Sequence, residues 1–348
     1  VAYNIIKMSY IRHFIIIICL LSFVQPLYPS EEKFKILDTR NGLFNNQVQF
    51  ITQMQDGKIL VYTEGMFNVY NGHTFEPLTC DLTYTIPLGM HNSCTVYDNG
   101  DGLLWAKDYH RLYLIDERTH RFCHHIKDLF NNANLNESLN DFILDQDKNA
   151  WLITEDGNLY RYNWKTQAQL IYQPSKEEFT NGTRVKEVMQ IGPFHLILLN
   201  TGKMLCWEEK TSRIIHEDNT LTTPEPSEHF RTTWIQIDDQ TLLISNIYPH
   251  HSLYTYNIYT RKWNKILSNK SIYDIKKTPN GDFILGGHNS LIRLSRNLQT
   301  IKQTNGIKVI EDKNINDVII SILIDRQNGL WLGTGSNGIL KNISTDTY

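Results

Sequence analysis

Gly329-Leu330-Trp331-Leu332-Gly333-Thr334 is the clearest copy of a short apolar box that the chain repeats seven times. The other copies are Lys58-Ile59-Leu60-Val61-Tyr62-Thr63, Leu103-Leu104-Trp105-Ala106-Lys107, Asn149-Ala150-Trp151-Leu152-Ile153-Thr154, His195-Leu196-Ile197-Leu198-Leu199, Thr241-Leu242-Leu243-Ile244-Ser245 and Asp282-Phe283-Ile284-Leu285-Gly286. Their centres, Leu60, Trp105, Trp151, Ile197, Leu243, Ile284 and Trp331, lie 41 to 47 residues apart. A period of about 40 to 50 residues is that of one four-stranded propeller blade.

Working outward, each box has the same neighbours. Turn residues tolerant of positive φ precede it, as in Asp56-Gly57, Asp101-Gly102, Asp147-Lys148-Asn149, Asn280-Gly281 and Asn328-Gly329, which is hairpin chemistry. Before the turn stands a short apolar strand such as Phe142-Ile143-Leu144. After the box comes another, such as Leu159-Tyr160-Arg161-Tyr162, and then a fourth such as Trp263-Asn264-Lys265-Ile266-Leu267. The fold class is therefore all-β: a seven-bladed β-propeller with four antiparallel strands per blade. A ring must tie its last blade to its first or leave open edges. The seventh unit stops where its fourth strand should begin, and Phe34-Lys35-Ile36-Leu37 resembles the fourth strand at Trp263–Leu267, so Phe34–Leu37 is expected to complete the last blade.

The N-terminus is of different material. Lys7 and Arg12 precede an apolar run from Phe14 to Leu21, followed by Pro26 and Pro29. Residues 1–30 read as a secretory signal with Met8 as the true start, cleaved near Pro29 to Glu31, and an uncleaved anchor is the rival reading. Residues 31–348 then form a single propeller in the periplasm, with no membrane span in the mature chain because no other apolar run reaches about 18 residues. The chain of 348 residues has a net charge of −3 and no basic footprint, so nucleic acid is not an expected partner. Cys80, Cys94, Cys123 and Cys206 form no Cys-x-x-Cys pair and read as buried small hydrophobes, with a Cys80–Cys94 disulfide as the alternative.

With the repeat in place, Asn41-Gly42-Leu43-Phe44-Asn45-Asn46-Gln47-Val48, followed by Asp56-Gly57 and Tyr70-Asn71-Gly72, resembles the opening of the two-component regulator propeller, the periplasmic sensor of hybrid two-component histidine kinases of gut Bacteroidetes. The seventh unit, Ile319 to Thr334, matches that family's repeat best, and the likeness covers about residues 34 to 348. The resemblance implies a sensor that binds a glycan-derived oligosaccharide and relays occupancy to a histidine kinase controlling polysaccharide utilisation. Family members usually carry a second propeller, a β-sandwich, a transmembrane helix and a kinase. This chain shows none of these and reads as a truncated or stand-alone piece, able to bind ligand or to dimerise through a propeller–propeller contact. A propeller enzyme acting on glycans, lyase or glycosidase, and a protein-interaction propeller are the alternatives.

Repetition at one structural position assigns Trp105, Trp151 and Trp331 to blade packing rather than to sugar stacking. Ligand contacts are expected on the face made by the loops after the second strands, where Tyr109, His110, Arg111, Glu155, Tyr248, His250, His251 and His288 offer rings and hydrogen-bonding groups. No catalytic residue, metal ligand or cofactor is expected: His124-His125 and His250-His251 are adjacent pairs whose side chains diverge on a strand.

Overall fold

The computed structural model describes residues 32–89, 94–310 and 313–343; the signal segment expected over residues 1–30 lies outside them. Seven antiparallel four-stranded sheets form a ring, blades 1 to 7. Each box is the second strand of its blade, for example Ile59–Thr63, Ala150–Thr154 and Leu330–Thr334, all buried from end to end. The reason lies in the packing. A second strand is covered by a neighbouring blade on each face, so both sides of the pleat are apolar and the sequence runs unbroken instead of alternating. Leu60 and Tyr62 face blade 2, whereas Ile59 and Val61 face blade 7.

The buried apolar side chains fall into seven clusters, one at each interface between adjacent blades. Trp105, Trp151 and Trp331 are at most 2% exposed and belong to these clusters, as their repetition indicated. Two of them are fixed by the same device. Trp151 Nε1 donates to Asp145 Oδ2 at 3.0 Å and Trp331 Nε1 to Asp325 Oδ2 at 2.7 Å, across the hairpin turn that precedes each box. The same aspartates accept from the backbone of the turn at Asn149 and Gly329. One carboxylate thus closes the hairpin and satisfies an indole that burial would otherwise leave unpaired. Gly286 and Gly333 stand at equivalent positions in two boxes, two residues past their centres; a Cβ there would come within 2.6 Å of Ile319 and 2.7 Å of Val48, the side chains of the next blade.

The ring closes as anticipated. Phe34–Leu37 pairs antiparallel with Ile339–Asn342, in the register Phe34↔Asn342 to Leu37↔Ile339, as the outermost strand of blade 7. Blade 2 carries an extra strap, Ile86–Pro87, that pairs with Leu112 and Arg111 beside the short outer strand Arg121–Phe122. The cysteines are free; Cys206 is buried and the other three pack partly buried against apolar clusters, in line with the hydrophobe reading.

Candidate binding site in the central channel

The innermost strands of all seven blades surround a cavity of about 510 Å³. They do not pair with one another through their backbones, so side chains make the links. Ser321 Oγ accepts from Ile51 N (3.1 Å), Asp274 Oδ2 from Ile322 N (2.7 Å) and Gln190 Oε1 from Gln146 N (2.7 Å).

One irregularity recurs at the end of the channel where these strands begin. In five blades the register between the first and second strands skips one residue: Gln49, Asn140, Lys186, Tyr273 and Ile320. Blade 5 places its extra residue on the partner strand instead, between Thr232 and Arg231. A bulge leaves a residue out of the ladder and re-aims its side chain. Here Gln49, Lys186, Tyr273 and Ile320, together with Arg231, line the cavity. The first strand begins opposite the end of the second, as Val48↔Thr63 shows, so this end of the channel is also the end carrying the loops after the second strands.

The mouth is charged and aromatic. Lys107 Nζ, at the end of the blade 2 box, bonds Asp141 Oδ1 at 2.6 Å, with the two side chains 2% and 7% exposed. Glu187 faces the same pair. Burial raises its carboxyl to about 7, against the opposing pull of Lys107, while burial also lowers the Lys186 ammonium. Arg231 lies over the Tyr273 ring at 5.6 Å. Lys276 Nζ pairs with Asp274 Oδ1 at 3.2 Å.

The folded Glu187 pKa stands above its unfolded value of 4.5, so its contribution to stability is complete below pH 4.5 and is lost as pH rises toward 7. At about 1.4 kcal/mol per unit, acidification from pH 7.5 to 5 should raise the stability of the wild-type protein more than that of Glu187→Gln by roughly 2 kcal/mol. Parallel urea melts at the two pH values read the difference; identical pH responses would show that Glu187 titrates normally.

All eight residues expected from the sequence lie at this same end of the ring. Tyr109 is brought to the channel: its hydroxyl donates to Gln49 Oε1 at 2.9 Å. Its loop is held by Asp108, which accepts from the backbones of His110 and Arg111 and from the hydroxyls of Tyr62 and Tyr113. The others sit farther out. Arg111 Nη1 donates to Thr85 Oγ1 beside the blade 2 strap (2.8 Å). His250 Nε2 lies 3.0 Å from the Leu221 carbonyl and His251 Nδ1 2.7 Å from Ser271 Oγ. Tyr248 meets the rings of His229 and His251 edge-on, while His110, Glu155 and His288 are exposed on their loops. The sequence reading did not single out Gln49, Lys107, Asp141, Lys186, Glu187, Arg231 or Tyr273 as site residues. The hydrophobic pattern does not mark them: the residues left out of register range from Gln49 and Lys186 to Ile320, which simply continues an apolar run.

Residues 314–336 match the two-component regulator propeller family model. The match falls on the seventh blade. That match overlaps the unit whose sequence most resembled the family. Structural comparison agrees on the architecture. The extracellular domain of the hybrid two-component system BT3049 from B. thetaiotaomicron superposes with a TM-score of 0.65 at 16% identity, over 91% of this chain and 42% of that one. The extracellular domain of the hybrid two-component system BT4673 from the same organism gives 0.65 at 15%, over 90% and 40%. The WD40 propeller domain of Doa1 gives 0.57 at 12%, over 86% and 93%. The chain thus spans about two fifths of the length of the two-component extracellular domains it matches. A comparison with curated protein sequences finds no match. Among the described residues no helix is long and apolar enough to cross a membrane.

Proposed function

We propose that this propeller is the ligand-binding part of a periplasmic sensor, taking a glycan-derived oligosaccharide at the channel mouth and, within a longer receptor, reporting occupancy to a histidine kinase. The observation that carries the reading is a regulator-propeller repeat in a chain whose polar, aromatic-rimmed channel opens on the loop face. The structural neighbours that belong to hybrid two-component systems are themselves extracellular domains, which supports the same placement. The chemistry of the mouth suits a polyhydroxylated ligand. Tyr273 and Trp234 line the cavity with their rings, and Gln49, Tyr109 and Lys186 offer hydrogen-bonding groups around one opening. Tyr109 is the first contact, with the exposed His110, Glu155 and His288, and then Arg111, Tyr248, His250 and His251, forming an outer rim on which a second propeller or a second copy of the chain can close.

Titrating the purified propeller with a panel of oligosaccharides tests this reading. Saturable binding without product formation is expected, and Tyr109→Ala should weaken it about tenfold, the loss of one stacked and hydrogen-bonded ring. Product formation would make the protein a glycan-active enzyme, and absence of both binding and turnover would make it an interaction module.

A further inference from the structure

Among the described groups that line the cavity, more positive than negative charge is left without an ion-pair partner. Of the carboxylates lining the cavity, Asp141 is paired with Lys107, Asp274 with Lys276, and Asp145 faces Arg161 at 3.9 Å while binding the Trp151 indole. Glu187, raised to about 7, is only partly ionised at neutral pH. Two cations on adjacent inner strands are left over, Lys186 of blade 4 and Arg231 of blade 5. Lys186 donates to the backbone carbonyl of Glu228 (3.3 Å) and feels the fields of the Asp141 and Glu228 carboxylates. Among the described residues, no carboxylate lies within ion-pair distance of Arg231, and the guanidinium rests on the face of Tyr273.

A guanidinium stacked on a ring keeps its edge donors in a planar fork, a shape that matches a carboxylate or a sulfate bidentately. The Arg231 guanidinium lies over the Tyr273 ring at 5.6 Å, and the irregular registers of blades 4, 5 and 6 bring Lys186, Arg231 and Tyr273 to one sector of the opening. The remaining sector holds the Lys107–Asp141 pair, Gln49 and Tyr109, groups that are already partnered or neutral.

We propose that the oligosaccharide taken at this mouth is acidic, and that Arg231, assisted by Lys186, binds its carboxylate or sulfate group. This rests on the saccharide reading above and sharpens it to a charged class of glycan. A ligand of that kind supplies an anion to Arg231, for which no carboxylate lies within ion-pair distance among the described residues, and its hydroxyls have the Gln49–Tyr109 edge across the opening.

An array of matched neutral, uronate-containing and sulfated oligosaccharides, probed with the whole purified chain, tests it. The acidic members should be retained in preference to their neutral counterparts, and which acidic group is retained tells carboxylate from sulfate. Against the best-retained glycan, Arg231→Gln should lower affinity about tenfold to a hundredfold. Arg231→Lys should lower it less, because the charge stays and the fork is lost. Lys186→Gln provides an independent second variant, and unchanged melting temperatures show that the variants remain folded. Preferential retention of neutral glycans would overturn the charge assignment while leaving the saccharide reading intact. Retention of acidic glycans with affinity unchanged in both variants would overturn the assignment to Arg231 and Lys186. Retention of no glycan at all would remove the saccharide reading and this inference with it.

Discussion

Deletion of residues 32–38 is expected to lower the melting temperature of the propeller by more than about 10 °C, or to prevent cooperative folding. The segment does more than lie along an edge. Phe34 and Leu37, each 1% exposed, enter different interfaces: Phe34 packs between blades 6 and 7, and Leu37 between blades 7 and 1. Phe34 also accepts a backbone bond from Ile310, and Glu32 pairs with Arg293 of blade 6. Truncating a buried Phe costs about 3–5 kcal/mol and a buried Leu about 2–5 kcal/mol, against a net stability that is typically about 5–15 kcal/mol for a whole domain. At about 1.5 °C per kcal/mol, the shift that about 2.1 cal/mol/K of unfolding entropy per residue implies for a domain of roughly 310 residues, Phe34→Ala alone should cost roughly 5–8 °C. The deletion should cost more, because it also unties the first blade from the last. A thermal melt followed by circular dichroism measures both. An unchanged melt for the deletion would mean that blades 1 and 7 hold together by face packing alone, without the strand.

The closing strand was legible because it is a piece of the repeat displaced to the other end of the chain, and Phe34-Lys35-Ile36-Leu37 kept the pattern of the outer strand at Trp263–Leu267. The boxes were legible for a related reason. Burial on both faces imposes an unbroken apolar run, and equivalent positions in seven blades impose it seven times. The same logic assigns Trp331 to the core rather than to a ligand platform, and its bond to Asp325 holds it there. The channel residues follow a different rule. Lys186 and Arg231 are separated by a whole blade in sequence, and each stands near the start of a strand beside other polar residues, Glu187 in one case and Thr232 in the other. What joins them is a register irregularity in each blade, which depends on how the first strand pairs with the second and leaves no mark in the hydrophobic pattern. The loop residues announced themselves by composition and lie on the expected face, but composition could not distinguish Tyr109, which reaches Gln49, from Arg111, which turns to Thr85.

Asp141→Ala should be the most damaging single substitution at the channel. Asp141 neutralises Lys107, whose side chain is 2% exposed, and also accepts the Phe142 backbone amide. Removing one partner of a buried ion pair leaves an uncompensated charge and typically costs about 3–5 kcal/mol, whereas replacing both partners by apolar residues of similar volume is often neutral or better. Lys107→Met should also be harmful, though less so, since it removes the buried ammonium that pairs with Asp141 beside Glu187. The double variant Lys107→Met, Asp141→Leu should recover most of the loss, to within about 2 kcal/mol of the parent. Urea melts of the four proteins give the coupling directly. Additive losses in the double variant would show that Lys107 and Asp141 act independently, each satisfied by other groups at the mouth. Recovery of stability would leave the pair with a different purpose, because two charges that the fold can exchange for methyl groups are then retained for what they do to the channel. They hold Glu187 next to a fixed cation, while among the described residues no carboxylate lies within ion-pair distance of Arg231, which rests over Tyr273.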